Sequence, residues 1–530
     1  MRRVNKLNLI LQAHLPYVRH LEYPKFLEEN WLFESLNETY IPLLRMLEKL
    51  EHDGVDFRLS ICFSPTLVTM LTDAALQERF VGYMEERIEL GKKEKRRTQN
   101  EERDCYQMAA RYLDEAEKNL ARFEELGRNI LNGYKALHEK NRLELMTTAA
   151  THAYLPIYKD YPAAVNTQIV MGIKTHERIF GETPRGFWLP DCGYYPGLDE
   201  MLQKNGVSWC QLASHSVITA RDKSVYGGYK PVELPSGVYG FVRDWRITSL
   251  VWSSVSGYPC DGDYRDFYRD IGYYLPLDYV RPYIHKPEIR VFTGYKYHAI
   301  TGKTEDKAYY SPAKAAEKVE LHAENFLYNI KRRGFAVSSA GINNPVFNLC
   351  FDAELFGHRW YEGIDFLEAV MRKADESEDF VFTTPTSVIL ENGETEKLRL
   401  NESSWGSGGY SDIWLDGSNS WIYRHIFKAI ERMEELTKRF PDQGSLKGRF
   451  LNQALRELLL AMSSDWPCIM HDGTSVTYAE KRLRSHLGSF NVVYSAMSRN
   501  TVNTEWLINA ERSSEIFPDI DYHLFEDYEE

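Results

Sequence analysis

Short apolar runs that close on a polar or ionisable residue recur along the chain. Leu7 to Leu11 leads to His14, Arg58 to Phe63 to Ser64, and Leu143 to Thr151 to His152. Gly186 to Pro190 leads to Asp191, Ser208 to Ala213 to His215, and Val346 to Phe351 to Asp352, with a further run at Thr248 to Trp252. Runs without alternation suit strands buried on both faces, the habit of parallel sheets. Helical patterns lie between several of them: Ser311-Pro312, as cap and first-turn proline, opens an amphipathic stretch to Arg333. Alternating strands and helices predict an α/β fold. Polar groups just past strand ends suit a barrel, whose active site is assembled at the strand C-termini. An open doubly wound sheet uses the same ends and is the structural alternative.

Two regions break the alternation. From Glu85 to Leu137 the sequence is charged, and Tyr106, Ala109, Leu113, Ala116, Leu120 and Phe123 fall at three- and four-residue steps, the signature of one apolar helix face. This predicts a helical insertion packed on the barrel, with a short coiled coil as the other reading. After the glycine-rich Trp405 to Tyr410 segment, Trp421 to Phe440 and Ser445 to Met462 again read as helices. The division expected is a barrel at 1–84 and 141–415, a helical insertion at 85–140, and a C-terminal helical domain at 416–530.

Composition narrows the chemistry. At 530 residues the chain exceeds the size at which one core stops growing, so additions to a barrel are expected. Aromatic residues make up 13%, including 34 Tyr and 11 Trp, and flat aromatic faces suit the C–H faces of sugar rings as well as core packing. A net charge of −13 argues against a nucleic-acid partner, which needs clustered cations. The one basic run, Lys92 to Arg97, is followed by Glu101-Glu102 and reads as a solvated helix. No apolar stretch reaches the roughly 18 residues of a membrane span, and the short run after Met1-Arg2-Arg3 meets Gln12 and His14 too soon for a signal peptide. Seven scattered cysteines without a CxxC pair suggest a reduced, cytoplasmic protein. No phosphate-binding glycine fingerprint, HExxH or paired ligand spacing around His298 or His358 is present, so neither a nucleotide cofactor nor a metal is expected.

Two segments place carboxylates in aromatic, glycine-punctuated settings: Gly186-Phe187-Trp188-Leu189-Pro190-Asp191-Cys192-Gly193-Tyr194 and Phe351-Asp352-Ala353-Glu354-Leu355-Phe356-Gly357-His358. A pair of carboxyls flanking a scissile bond is the usual apparatus of glycoside chemistry, although an Asp after a strand is also a common helix cap. Together with His14-Leu15-Pro16-Tyr17-Val18-Arg19 and Trp405 to Trp414, these segments resemble glycoside hydrolase family 57 through most of the chain. Val251-Trp252-Ser253, Gly257-Tyr258-Pro259 and Tyr264 to Asp270 are similar to its branching-enzyme group, which includes proteins described as α-amylases. The resemblance implies an incomplete (β/α)7 barrel, a helical C-terminal domain, and a retaining double displacement on α-1,4-glucans with no metal in the chemistry.

Carried over by position, Asp352 matches the acid/base, and Asp191 stands where the family has its nucleophilic glutamate. Aspartate is one methylene shorter, so on an unchanged backbone its carboxylate retreats by about 1.5 Å. Gln12 is a second departure, since many relatives carry histidine there. The resemblance implies a sugar-lining role for His14; His152 is a further candidate, and Trp188, Trp252, Trp405 and Trp414 are candidate glucose platforms, with hydrophobic closure of the barrel rim as the other reading of Trp414. Tyr226, in the stretch Val225 to Tyr229, is a candidate for a loop over the acceptor site. The expected activity is α-1,4-glucan branching. An α-amylase, a 4-α-glucanotransferase and a catalytically weakened glucan binder are the alternatives.

Overall fold

All but one of the apolar runs form strands in the computed structural model, which describes residues 4–441 and 444–526; Met1-Arg2-Arg3 lies outside them. The strands are β1 (Asn5–Ala13), β2 (Leu59–Phe63), β3 (Leu143–Thr148), β4 (Gly186–Trp188) and β5 (Trp209–Leu212). They continue with β6 (Val232–Glu233), β7 (Tyr239–Val242), β8 (Val346–Asp352), β9 (Phe380–Phe382) and β10 (Glu396–Lys397). Neighbours follow the order β10-β6-β7-β5-β4-β3-β2-β1-β8, with β9 beside the start of β1.

Seven of these strands, β8, β1, β2, β3, β4, β5 and β7, run parallel to one another and form a curled wall, and β6 is antiparallel to β7. A parallel bridge between Arg243 and Asn348 brings the end of β7 against β8. The Asp244 N–H donates to the Asn348 carbonyl at 3.0 Å, and Asn348 Nδ2 donates to the Val242 carbonyl at 2.9 Å. The barrel is therefore of the incomplete (β/α)7 type, joined at one bridge where the other strands share ladders. Full burial of β2 and near-full burial of β1 explain why both read as unbroken apolar runs.

The exception is Thr248 to Trp252, which is helical, within Trp245–Trp252. A short apolar run does not distinguish a buried strand from a helix turn by periodicity. Here Asp244 decides, because its side chain accepts from the N–H groups of Arg246 and Ile247 and caps the helix. The strand of this region is β7, which ends three residues before the helix begins and is interrupted by Gly240, where an added Cβ would meet the Leu212 side chain.

The segment expected as an insertion, 85–140, is helical and its first helix begins earlier: Ala74–Glu101, Arg103–Glu125 and Leu131–Glu139. Met108, Ala109, Tyr112, Leu113, Ala116 and Phe123 are buried on one face. It docks on the barrel through such contacts as Tyr112 Oη to the Lys296 carbonyl, 2.7 Å. The C-terminal helices are Tyr423–Arg439, Ser445–Ala461, Asp465–Asp472, Val476–Arg499 and Thr504–Ser513. Thr151 Oγ1 donates to the Leu459 carbonyl at 2.6 Å, fastening this layer to the loop after β3.

Candidate active site

His14, His152, Asp191 and Asp352 follow or end β1, β3, β4 and β8, so they gather at one rim of the barrel. The register pairs Gln12 with Asp352 across β1 and β8. His14 and His152 stack with ring centroids 4.1 Å apart. Gln12 Nε2 is hydrogen-bonded to His152 Nε2, and His152 Nδ1 lies 3.0 Å from Ser464 Oγ and 3.9 Å from Asp191 Oδ2. Both His152 and Asp191 adopt left-handed φ, 52° and 57°. That region is sparsely used and commonly tolerated by Asp and His, and such strain collects at functional sites.

Asp191 is tied to Trp405 by backbone and side chain, whereas its Oδ2 is buried with no hydrogen-bond partner. Burial pushes its carboxyl up to about 7; the Trp405 indole lowers it, the charge of Asp352 raises it, and His14 lowers it. Asp352 is pushed up to about 6 by burial, against His14, Arg243 and Arg359. Burial also opposes charge on His14, but Asp465, Glu354 and Asp191 outweigh it and raise its pKa. His152 is driven well below its ordinary value by burial and by His14, so it stands neutral at pH 7. The rim thus offers two carboxyls able to exchange proton and charge near neutrality, beside one imidazole whose pKa is raised and one that is neutral.

Several members of the group were not singled out from sequence. Asp465, from the C-terminal layer, lies 3.1 Å from His14 Nε2, while Ser64 Oγ bonds His14 Nδ1 at 2.9 Å. Glu354 accepts from the His14 N–H at 3.2 Å and from the Tyr40 hydroxyl, and burial holds its carboxyl near 7. Arg243 places its guanidinium 5.6 Å from the Trp252 ring and 5.3 Å from Trp405. Ser463-Ser464-Asp465-Trp466-Pro467 carries the signal of a capped helix start, but nothing in its spacing assigns it to a site over 450 residues from His14.

The aromatic assignments divide. Trp252 is 37% exposed and stands 5.7 Å from the half-buried Trp405, so both retain some solvent-accessible surface beside Arg243. Trp188 is fully buried, edge-on to Trp405 at 5.3 Å, and Trp414 is 2% exposed, stacked on Tyr154 at 4.1 Å. These two are corrected from platforms to rim supports, because their faces are already covered by protein. Tyr226 is also corrected. Its loop is held at the sheet edge by Glu396, which accepts from the Val225 N–H at 2.8 Å, and the nearby Tyr229 carbonyl accepts from Val346 at the start of β8. Val346 and Asp352 are the two ends of β8, about 20 Å apart at roughly 3.3 Å per residue. Tyr226 is therefore held in a loop fastened at the sheet edge, apart from the contacts that join His14, His152, Asp191 and Trp405.

A parallel barrel with paired, raised carboxyls and exposed tryptophans at its strand C-termini defines a glycoside-processing enzyme class. Residues 8–400 match the profile of glycosyl hydrolase family 57, and residues 425–525 match that of the 1,4-alpha-glucan branching enzyme C-terminal domain. The chain belongs to glycosyl hydrolase family 57. It is 30% identical over 517 residues to a 1,4-alpha-glucan branching enzyme of Thermococcus kodakarensis, covering 92% of this chain and 72% of that protein. Its structure superimposes on the alpha-amylase AmyC of Thermotoga maritima with TM-score 0.93 and 41% identity, covering 100% of both chains. The branching enzyme of Pyrococcus horikoshii gives TM-score 0.88 at 29% identity, covering 99% of this chain and 97% of that one.

Proposed function

We propose that this chain is a 1,4-α-glucan branching enzyme, cutting an α-1,4 link and rejoining the released segment through α-1,6, in a reducing cytoplasm and in the service of glycogen synthesis. The observation that carries this reading is the union of two matches in one molecule: the family barrel and the branching-enzyme C-terminal domain, whose helix delivers Asp465 to His14. The unpaired state of all seven cysteines supports the compartment.

In this reading Asp191 attacks the anomeric carbon while Asp352 protonates the departing glycosidic oxygen, leaving a glycosyl ester on Asp191. Asp352 then accepts the proton of an incoming 6-hydroxyl, which displaces the ester with net retention. His14, whose protonated form Asp465 favours, offsets the negative charge of the carboxyls, and Trp252 and Trp405 supply stacking faces for glucose units. Incubation with amylose, followed by debranching and chain analysis, tests it: new α-1,6 links are the expected product.

A second reading, an α-amylase, is favoured by the 41% identity to AmyC along the whole chain. Reducing ends that rise without branches select it. A third, a weakened glucan binder, is favoured by the short Asp191 with its unpartnered Oδ2. Glucan binding without turnover selects that one.

A further inference from the structure

The helix Pro312–Ser339 runs for 28 residues, about 42 Å at 1.5 Å per residue. Its inner face is the amphipathic stripe expected from sequence, with Val319, Ala323, Phe326, Ile330 and Val337 buried. The outer face carries a second apolar stripe. Leu321, Tyr328 and Phe335 are 55%, 61% and 68% exposed, and they follow one another at seven-residue steps, two helical turns apart.

Single exposed apolar side chains are ordinary on a protein surface, whereas three in line along one helix form a seam. A seven-residue repeat keeps such a seam facing a second helix that crosses at about 20°, the geometry of coiled coils. This seam also matches itself. Leu321 and Phe335 stand seven residues either side of Tyr328, so a second copy related by a two-fold axis at Tyr328 sets Leu321 against Phe335 and Tyr328 against Tyr328. Every apolar residue of the stripe then meets an apolar partner.

The flanking charges select this antiparallel arrangement. Glu324 and Arg332 lie four residues before and after Tyr328, on the same face of the helix. The two-fold axis puts Glu324 of each copy opposite Arg332 of the other, whereas a parallel pairing sets glutamate on glutamate and arginine on arginine. The other flank sets Asn325 against Lys331, with no like charges. Both members of the pair can respond. Arg332 is exposed, and among the described residues it has no carboxylate oxygen within 4.0 Å. Glu324 shares Lys373 with Glu320, at 3.0 and 2.9 Å, and its side chain is 63% exposed, so it retains an oxygen for a second cation.

We propose that two copies of this chain associate through this helix, antiparallel about a two-fold axis at Tyr328. A strip about 42 Å long and about 10 Å wide covers roughly 400 Å² on each copy, at the weak, reversible end of specific interfaces. The expected dissociation constant is on the order of 10 µM. None of the contacting residues belongs to the carboxyl rim, so glucan turnover is the same in monomer and dimer.

Sedimentation of the full chain between about 1 and about 200 µM tests this. The expected result is a monomer–dimer equilibrium for the wild type, with Tyr328→Asp monomeric throughout and unchanged in turnover. Arg332→Glu and Glu324→Arg each weaken association by about tenfold, and the two together restore it. Oxidation by diamide reads out the register. Tyr328→Cys links two copies through one disulfide, whereas Leu321→Cys does so only when mixed with Phe335→Cys, because the two copies of position 321 lie about 21 Å apart. Should Tyr328→Asp misfold by circular dichroism, the charge exchange and the Leu321→Cys and Phe335→Cys mixture carry the test. A wild type that stays monomeric at about 200 µM overturns the proposal, as does a dimer that survives Tyr328→Asp or is not restored by the charge exchange. Self-linking of Leu321→Cys overturns it equally, since only a parallel pairing brings those positions together.

Discussion

Trp405 grips Asp191 twice: its backbone N–H donates to the Asp191 carbonyl at 3.0 Å, and its indole Nε1 donates to Asp191 Oδ1 at 3.3 Å. The first bond steadies a left-handed turn, and the second favours the ionised carboxylate against the burial that opposes it. Trp405→Phe keeps a ring at the rim and the backbone bond while deleting the indole donor. Because Asp191 titrates above Asp352, the alkaline limb of kcat/KM is then expected to move up by about one pH unit while the maximum falls. A limb that stays in place would show that the indole bond carries no weight in Asp191's titration.

The two carboxyls also fix the shape of the wild-type profile. Turnover needs Asp352 protonated and Asp191 ionised, yet Asp352 titrates near 6 and Asp191 near 7, the reverse of the helpful order. The profile is expected to be a bell centred near pH 6.5, at whose top only about one molecule in twenty holds the productive protonation state. Activity that climbs steadily from pH 6 to 8 contradicts the assignment of Asp352 as the acid.

Restoring the missing methylene tests the reach of the nucleophile. Asp191→Glu advances the carboxylate by about 1.5 Å, and misplacement on that scale can cost about a hundredfold. Glucan turnover is expected to rise by up to that factor, with Asp191→Asn inactive. If the Glu variant is slower than wild type, the left-handed turn already sets Asp191 at its working distance, and the shorter side chain is an adaptation to that turn.

Asp465 offers a test from the other domain. It is the strongest of the charges that raise the His14 pKa, and it also accepts from Ser463 Oγ at 2.6 Å. Asp465→Asn is expected to lower the His14 pKa, visible by NMR of the labelled imidazole, and to reduce kcat more than it raises KM. An unshifted imidazole would mean that Glu354 and Asp191 suffice to hold the charge.

Much of this architecture could be read from the pattern of residues, for identifiable reasons. Strands buried on both faces, such as β1 and β8, leave unbroken apolar runs, and the groups that end them, His14 and Asp352, fall at the rim by construction. β7 was missed because four residues with a central glycine carry little signal, and the capped helix beside it mimics a strand. Asp465, Ser464 and Tyr40 were missed because they reach the site from other layers, and long-range packing leaves no local periodicity. Trp188 and Trp414 illustrate the reverse error: residue type suggests a platform, whereas only burial tells whether a face is open.

The last expectation concerns stability. Asp191 titrates near 7 in the folded chain against an ordinary value of 3.8, so the fold retains a proton that the unfolded chain releases. The associated stability is fully present below pH about 4 and is lost as pH rises through about 7. Asn cannot ionise, yet its amide oxygen can still accept from the Trp405 indole. Asp191→Asn is therefore expected to match wild type near pH 4 and to exceed it by about 1–4 kcal/mol at pH 8. Urea midpoints of both proteins at pH 4, 6 and 8 measure the difference. A gap that is constant across this range traces to packing; a gap that opens between pH 4 and 7 traces to the buried carboxylate, whose cost the folded protein then bears for the sake of the site.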